Sequence, residues 1–177
     1  MLMINTIPIG KKFPEVVNTI VEIQKETRNK YEFDEELNII KLDRILHSPM
    51  FYPVDYGFIP ETRADDGDHL DMMVMTNSPV FAGCLLEVRP IGVLIMSDEH
   101  GTDEKVLGVP LKNPNYDHIQ TLDDVSPHFL KEIIHFFEAY KHLENKELVI
   151  DRWGTKEEAF EIIKKTFEIY QKEVAEK

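Results

Sequence analysis

Apolar and polar positions follow two different rhythms along the chain. Before residue 120 the apolar residues come in short β-branched or aromatic runs, at 16–23, 31–33, 39–42, 54–59, 71–76, 85–96 and 106–111, bounded by Gly, Pro, Asn or Asp. Such runs predict strands separated by turns. After residue 125 the period becomes helical. Ser126 followed by Pro127 reads as an N-cap with proline at the first helical position. Leu130, Ile133, Ile134 and Phe137 then share one face, which predicts a helix over 126–143. Thr155 with Glu158 forms a capping box that opens a second helix, with an apolar stripe at Phe160, Ile163, Phe167, Tyr170 and Val174. Many short strands followed by helices predict a mainly β, α+β architecture: a closed or nearly closed barrel with helices on one side.

The length of 177 residues suits one domain, 1–177, able to bury a core without disulfides. Only Cys84 is present, beside Leu85 and Leu86, so it reads as a small buried hydrophobe in a reducing compartment. Residues 1–14 place Lys11 and Lys12 after the apolar residues, the reverse of a secretory signal. No stretch approaches the ~20 apolar residues of a spanning helix. A soluble, cytoplasmic protein is expected. The net charge of −13 disfavours nucleic acid and anionic membranes as partners. It also repels anionic substrates, unless bound cations reverse the local sign.

Two acidic clusters stand out. Asp65, Asp66, Asp68 and Asp71 form one; Asp98, Glu99, Asp103 and Glu104 form the other. Each lies at the edge of a predicted strand, where a rigid barrel can present a loop. Gly67 lets the first loop bend so that its carboxylates converge. A solvated charge run is the plain alternative, but the apolar run at 72–75 anchors the first cluster against a core. An EF-hand is excluded, because Leu70 and Asp71 stand where an oxygen ligand and glycine belong. The seven histidines are scattered and form no zinc motif. Carboxylate-only ligation points to magnesium or manganese.

Basic and aromatic motifs accompany the acids. Lys30-Tyr31-Glu32, Asp43-Arg44, Phe51-Tyr52-Pro53 with Tyr56-Gly57, Asp66-Gly67-Asp68 with Asp71, Asp98 with Gly101, Asp103 and Lys105, and His135-Phe136-Phe137 with Tyr140-Lys141 occur in this order. The set resembles the family I soluble inorganic pyrophosphatases, prokaryotic type, from about Gly10 through Trp153.

The resemblance implies an OB-like five-stranded closed β-barrel flanked by two helices in the C-terminal half. It implies hydrolysis of pyrophosphate with several Mg²⁺ ions per site, Mn²⁺ or other divalent ions being substitutes. Asp66, Asp71 and Asp103 would hold the ions that share the attacking water. Asp68 would orient that water and take its proton. Asp98 with Asp103 would hold a further ion, and Glu32 another. Lys30, Arg44, Tyr56, Lys105, Tyr140 and Lys141 would grip phosphate oxygens, with Glu22 and Tyr52 supporting them from behind. A homo-oligomer, most simply a hexamer, is implied.

Departures are His69 and Gln24, where the family commonly has proline, and Ala139 and His142 near Tyr140-Lys141. None removes a ligand or a phosphate grip. Two other classes compete. A dehalogenase-type Asp-x-Asp phosphatase would need a strand before its motif, where Glu61-Thr62-Arg63-Ala64 stands. A non-enzymatic acidic metal-binding OB-fold protein would explain the acids but not the ordered Lys, Arg and Tyr motifs.

Overall fold

The computed structural model describes residues 4–98, 101–145 and 148–176, with only the backbone described at Asp98. Its strands are β1 (Val17–Ile23), β2 (Asn29–Asp34), β3 (Ile39–Ile45), β4 (Asp55–Ile59), β5 (Leu70–Val74), β6 (Leu85–Asp98), β7 (Gly101–Pro110) and β8 (Val149–Gly154). The helices are α1 (Pro127–Ala139) and α2 (Lys156–Glu176). Strands β1-β4-β5-β7-β6 pair in sequence, and β6 pairs back onto β1, which closes a five-stranded ring. This is the predicted OB-like barrel. β8 adds outside the ring against β6, and β2–β3 form a separate two-stranded hairpin.

Gly57 shows how tightly the ring closes. A Cβ there would lie 1.9 Å from the Ile20 carbonyl oxygen across the β1–β4 pair, so only glycine fits. Strand alternation then sorts side chains into two apolar layers. Ile23, Tyr56, Met73, Leu94 and Leu107 pack with Ile133, Phe136 and Phe137 of α1. Val17, Met72, Val74, Val88 and Val106 pack with Ala159 and Ile163 of α2.

Several sequence expectations are corrected. β7 begins at Gly101, so Asp103 and Glu104 lie within a strand, paired to Met96 and Ile95, and not on a loop. The apolar pattern does not predict β8, because Asp151 and Arg152 interrupt it. α1 stops at Ala139, and residues 142–144 form a separate 3-10 turn. Ser126 occupies the N-cap position without a side-chain capping bond. The capping box at α2 forms as read: Thr155 N donates to Glu158 Oε2 at 2.7 Å, and Glu158 N donates to Thr155 Oγ1 at 3.3 Å. On α2 the fully buried line is Ala159, Ile163 and Thr166, while Val174 is exposed.

Candidate active site

The polar site is a continuation of the layer that packs on α1. Asp71 lies two residues before Met73 on β5, and Asp103 and Lys105 lie four and two residues before Leu107 on β7. Period-2 alternation turns all of them to the side of that layer. β5 and β7 run parallel with Asp71 opposite Lys105, so their side chains meet. Lys105 Nζ donates to Asp71 Oδ2 (2.6 Å), Asp103 Oδ1 (2.8 Å) and the Tyr56 hydroxyl (2.9 Å). Burial alone lowers the pKa of an ammonium, but the Asp71 and Asp103 carboxylates outweigh it and Lys105 is raised instead.

The loop between β4 and β5 supplies more carboxylates. Gly67 has φ +93°, the left-handed conformation expected of the bend. Ala64 N donates to Asp68 O at 2.8 Å, and Asp68 N donates to Asp66 Oδ1 at 3.0 Å. Burial raises the pKa of Asp68, and the neighbouring Asp66 and Asp71 charges add to it. Burial likewise raises Asp71, despite Lys105.

Opposite stands the β2–β3 hairpin. The β1–β4 register shifts between Val21 and Ile23, which frees Glu22 from the ladder. Its Oε1 accepts from Phe33 N at 2.6 Å and so holds the hairpin to the barrel. Burial, then the Asp71 charge, pushes the Glu22 carboxyl up to about 8. Lys30 pairs with Glu32 and, at 3.4 Å, with Asp43.

These walls enclose a cavity of about 520 Å³. Of the residues singled out in the sequence, Glu22, Lys30, Glu32, Tyr56, Asp66, Asp68, Asp71, Asp103, Lys105, Tyr140 and Lys141 line it. Two others do not. Arg44 is held aside by Asp43 and by Glu144, to which Nε and Nη2 donate at 3.1 and 2.9 Å. Tyr52 is buried behind the cavity, its ring 5.7 Å from Tyr56 and 4.8 Å from Phe136. The Asp98 side chain, Glu99 and His100 lie outside the described residues. Sequence reading overlooked Glu35, Arg63 and Glu144, because a single charge outside an ordered motif looks like ordinary surface.

The donor set fits hard divalent cations. Among the described residues no three carboxylates or imidazoles converge into a ready cage; the cation joining Asp71 to Asp103 is the Lys105 ammonium. Burial raises Asp68 and Asp71, and neighbouring carboxylates add to it, so a cation seated beside them would favour their charged forms. All the candidate ligands are oxygens, which suits Mg²⁺ or Mn²⁺ better than zinc or copper.

His69 takes no part in that set. Its Nδ1 donates to Thr62 O at 2.8 Å, and its Nε2 faces Glu35 at 3.2 Å. Its ring stacks on Phe58 at 4.8 Å. With Nδ1 donating to a carbonyl and the ring stacked on Phe58, we read the imidazole as a packing group in the cavity wall. We expect His69→Pro to keep kcat/KM within ~10-fold of the parent, a barrier change below about 1.4 kcal/mol. Steady-state kinetics across pH checks this. Loss of most activity together with one ionisation would make His69 catalytic.

Residues 19–171 match the family described as Inorganic pyrophosphatase. The chain is 48% identical over 150 residues to an inorganic pyrophosphatase of Methanosarcina acetivorans, covering 85% of this chain and 89% of that one. A relative of the same name from Nostoc is 45% identical, with 95% and 99% covered. The crystal structure of inorganic pyrophosphatase from Thermus thermophilus superimposes with a TM-score of 0.93 at 42% identity, over 96% of this chain and 99% of that one. Agreement of this extent, on a barrel that brings most of the ordered motifs to one cavity, places the chain in the inorganic pyrophosphatase family.

Proposed function

We propose that the chain hydrolyses inorganic pyrophosphate to two phosphates, and that the carboxylate cavity is where it does so. One observation carries this: Asp66, Asp68, Asp71 and Asp103 share a cavity with Lys30, Lys105, Lys141, Tyr56 and Tyr140. Acids alone would store metal and bases alone would hold an anion. Together they suit an anionic substrate that arrives with cations.

Asp66, Asp71, Asp103 and Glu32, with Asp98, are the residues proposed to hold Mg²⁺, or Mn²⁺ in its place. Bound there, the ions would lower the pKa of water from about 15.7 and cancel substrate charge. Asp68 orients the attacking water and takes its proton. Its raised pKa makes it a better acceptor than an ordinary aspartate. As the water oxygen bonds to one phosphorus, the bridging P–O bond breaks and its electron pair stays on the leaving phosphate. Lys30, Lys105 and Lys141, which line the cavity, stabilise that charge; Arg44 would join them only on leaving Asp43 and Glu144. Burial raises the pKa of Tyr56 and of Tyr140, so both hydroxyls keep their protons and donate without adding charge. Glu22 and Tyr52 hold the hairpin and the tyrosines from behind.

The test is stoichiometry and specificity. Two phosphates should appear per pyrophosphate consumed, one of them carrying ¹⁸O from labelled water. Turnover of p-nitrophenyl phosphate with none of pyrophosphate would instead indicate a general phosphatase.

Residues 1–177 are read as one domain that acts as a cytoplasmic homo-oligomer, a hexamer in the simplest case. Among the described residues no helix is long and apolar enough to cross a membrane. Phe51, Leu143 and Val149 are large and exposed, and they are the apolar residues proposed to be covered in such an assembly. His128 and His135 on α1, and His142 just beyond it, are exposed too. Histidine gains charge between pH 8 and 5, and like charges across an interface repel. Light scattering should show an oligomer at pH 8 that loosens towards pH 5. A monomer at both values contradicts the assembly.

A further inference from the structure

The hairpin and the carboxylate loop form opposite walls of the cavity, yet no strand ladder joins them. β2 and β3 pair only with each other. A lone two-stranded hairpin is marginally stable, so side chains must fix its place. Arg63 stands where the walls meet. Its side chain is only 11% exposed. Nη1 donates to the Gly67 carbonyl at 2.6 Å, between Asp66 and Asp68. Nη1 also donates to Glu35 Oε1 at 2.9 Å, just beyond the end of β2. Nε donates to Glu173 Oε2 on α2 at 3.0 Å, and the Arg63 backbone N donates to the Thr166 carbonyl at 2.9 Å. One planar guanidinium therefore ties the loop apex, the hairpin tip and α2 together. Its fixed fork of donors suits this in a way that a lysine ammonium does not.

We infer that Arg63, acting with Glu35, is a positioning residue that sets the gap between the Asp66–Asp68 apex and the hairpin carrying Lys30 and Glu32. The inference rests on the proposed pyrophosphate hydrolysis in this cavity. Reacting groups must be placed to within a fraction of an ångström, and a misplacement of about 1 Å can cost ~10²-fold in rate. In this role Arg63 does not touch substrate.

The experiment compares the parent with Arg63→Met, Arg63→Lys, Glu35→Ala and the control Arg152→Met. Arg152 forms a similar pair with Glu158 at the other end of α2, at 2.6 Å, away from the cavity. Two quantities are measured well below every melting temperature: kcat on pyrophosphate, and hydrogen exchange of backbone amides in metal-free protein. Arg63→Met should lower kcat by ~10-fold or more. It should also speed exchange in residues 29–45 while leaving β4 to β7 at parental rates. Arg63→Lys should recover part of the activity. Glu35→Ala should move both readouts the same way by a smaller factor, and it serves alone if Arg63→Met does not fold. Arg152→Met should change neither. Parental exchange in the hairpin, or kcat within twofold of the parent in the Arg63→Met or Glu35→Ala variant that folds, overturns the inference. A parent that does not hydrolyse pyrophosphate overturns the proposed function instead, so the two failures are distinct.

Discussion

Asp68→Asn should lower kcat by at least ~10²-fold, the usual scale for loss of a general base, while the protein still binds magnesium. Asparagine keeps the size of aspartate and its place in the loop, where backbone bonds hold it: Asp68 N on Asp66 Oδ1 and Asp68 O under Ala64 N. What it loses is a carboxylate able to accept a proton. That carboxylate faces the cavity beside Asp66 and Asp71, and partial desolvation together with their charges raises its pKa. Asp66, Asp71 and Asp103 remain, so calorimetry should still register metal binding. The variant thus separates proton transfer from ligation. A kcat near the parental value would remove Asp68 from the role of base. Loss of metal binding together with activity would make it chiefly a ligand.

The second large effect is on stability. Lys105→Met should destabilise metal-free protein by about 3 kcal/mol, the low end of the range for breaking a buried ion pair. The low end applies because Asp71 and Asp103 are 28% and 20% exposed, although Lys105 itself is 5% exposed. Without the ammonium, the two carboxylates face each other uncompensated. Magnesium held as proposed by the native carboxylates, and not by the unfolded chain, should restore much of the loss. It should not restore turnover, because Lys105 is also proposed to hold a phosphate oxygen. Thermal melts in EDTA and in magnesium read the difference. Equal loss in both would mean that Lys105 contributes packing and not charge.

Much of this organisation is legible in the sequence. The barrel strands are visible because β4, β5 and residues 91–96 of β6 are largely apolar runs, buried on both sides. The site residues are visible because Asp66, Asp68 and Asp71 crowd around a glycine and basic motifs follow in a fixed order. Three things are hidden. The Asp103 segment looks like a loop, since its alternate residues point into a polar cavity and not a core, yet it is strand. The placing of the hairpin depends on Arg63 and Glu35, which meet across 28 residues of sequence. Arg44 is drawn to Glu144, 100 residues away. Periodicity reports which face a residue takes within its element. It does not report which distant charge it meets.

This carboxylate cavity is proposed to hydrolyse pyrophosphate with the help of divalent cations. The most direct test is phosphate release from pyrophosphate by one preparation carried through magnesium, then excess EDTA, then magnesium in excess of the chelator. Turnover is expected in the first state, none in the second, and recovery in the third. Full turnover in EDTA would contradict this proposal.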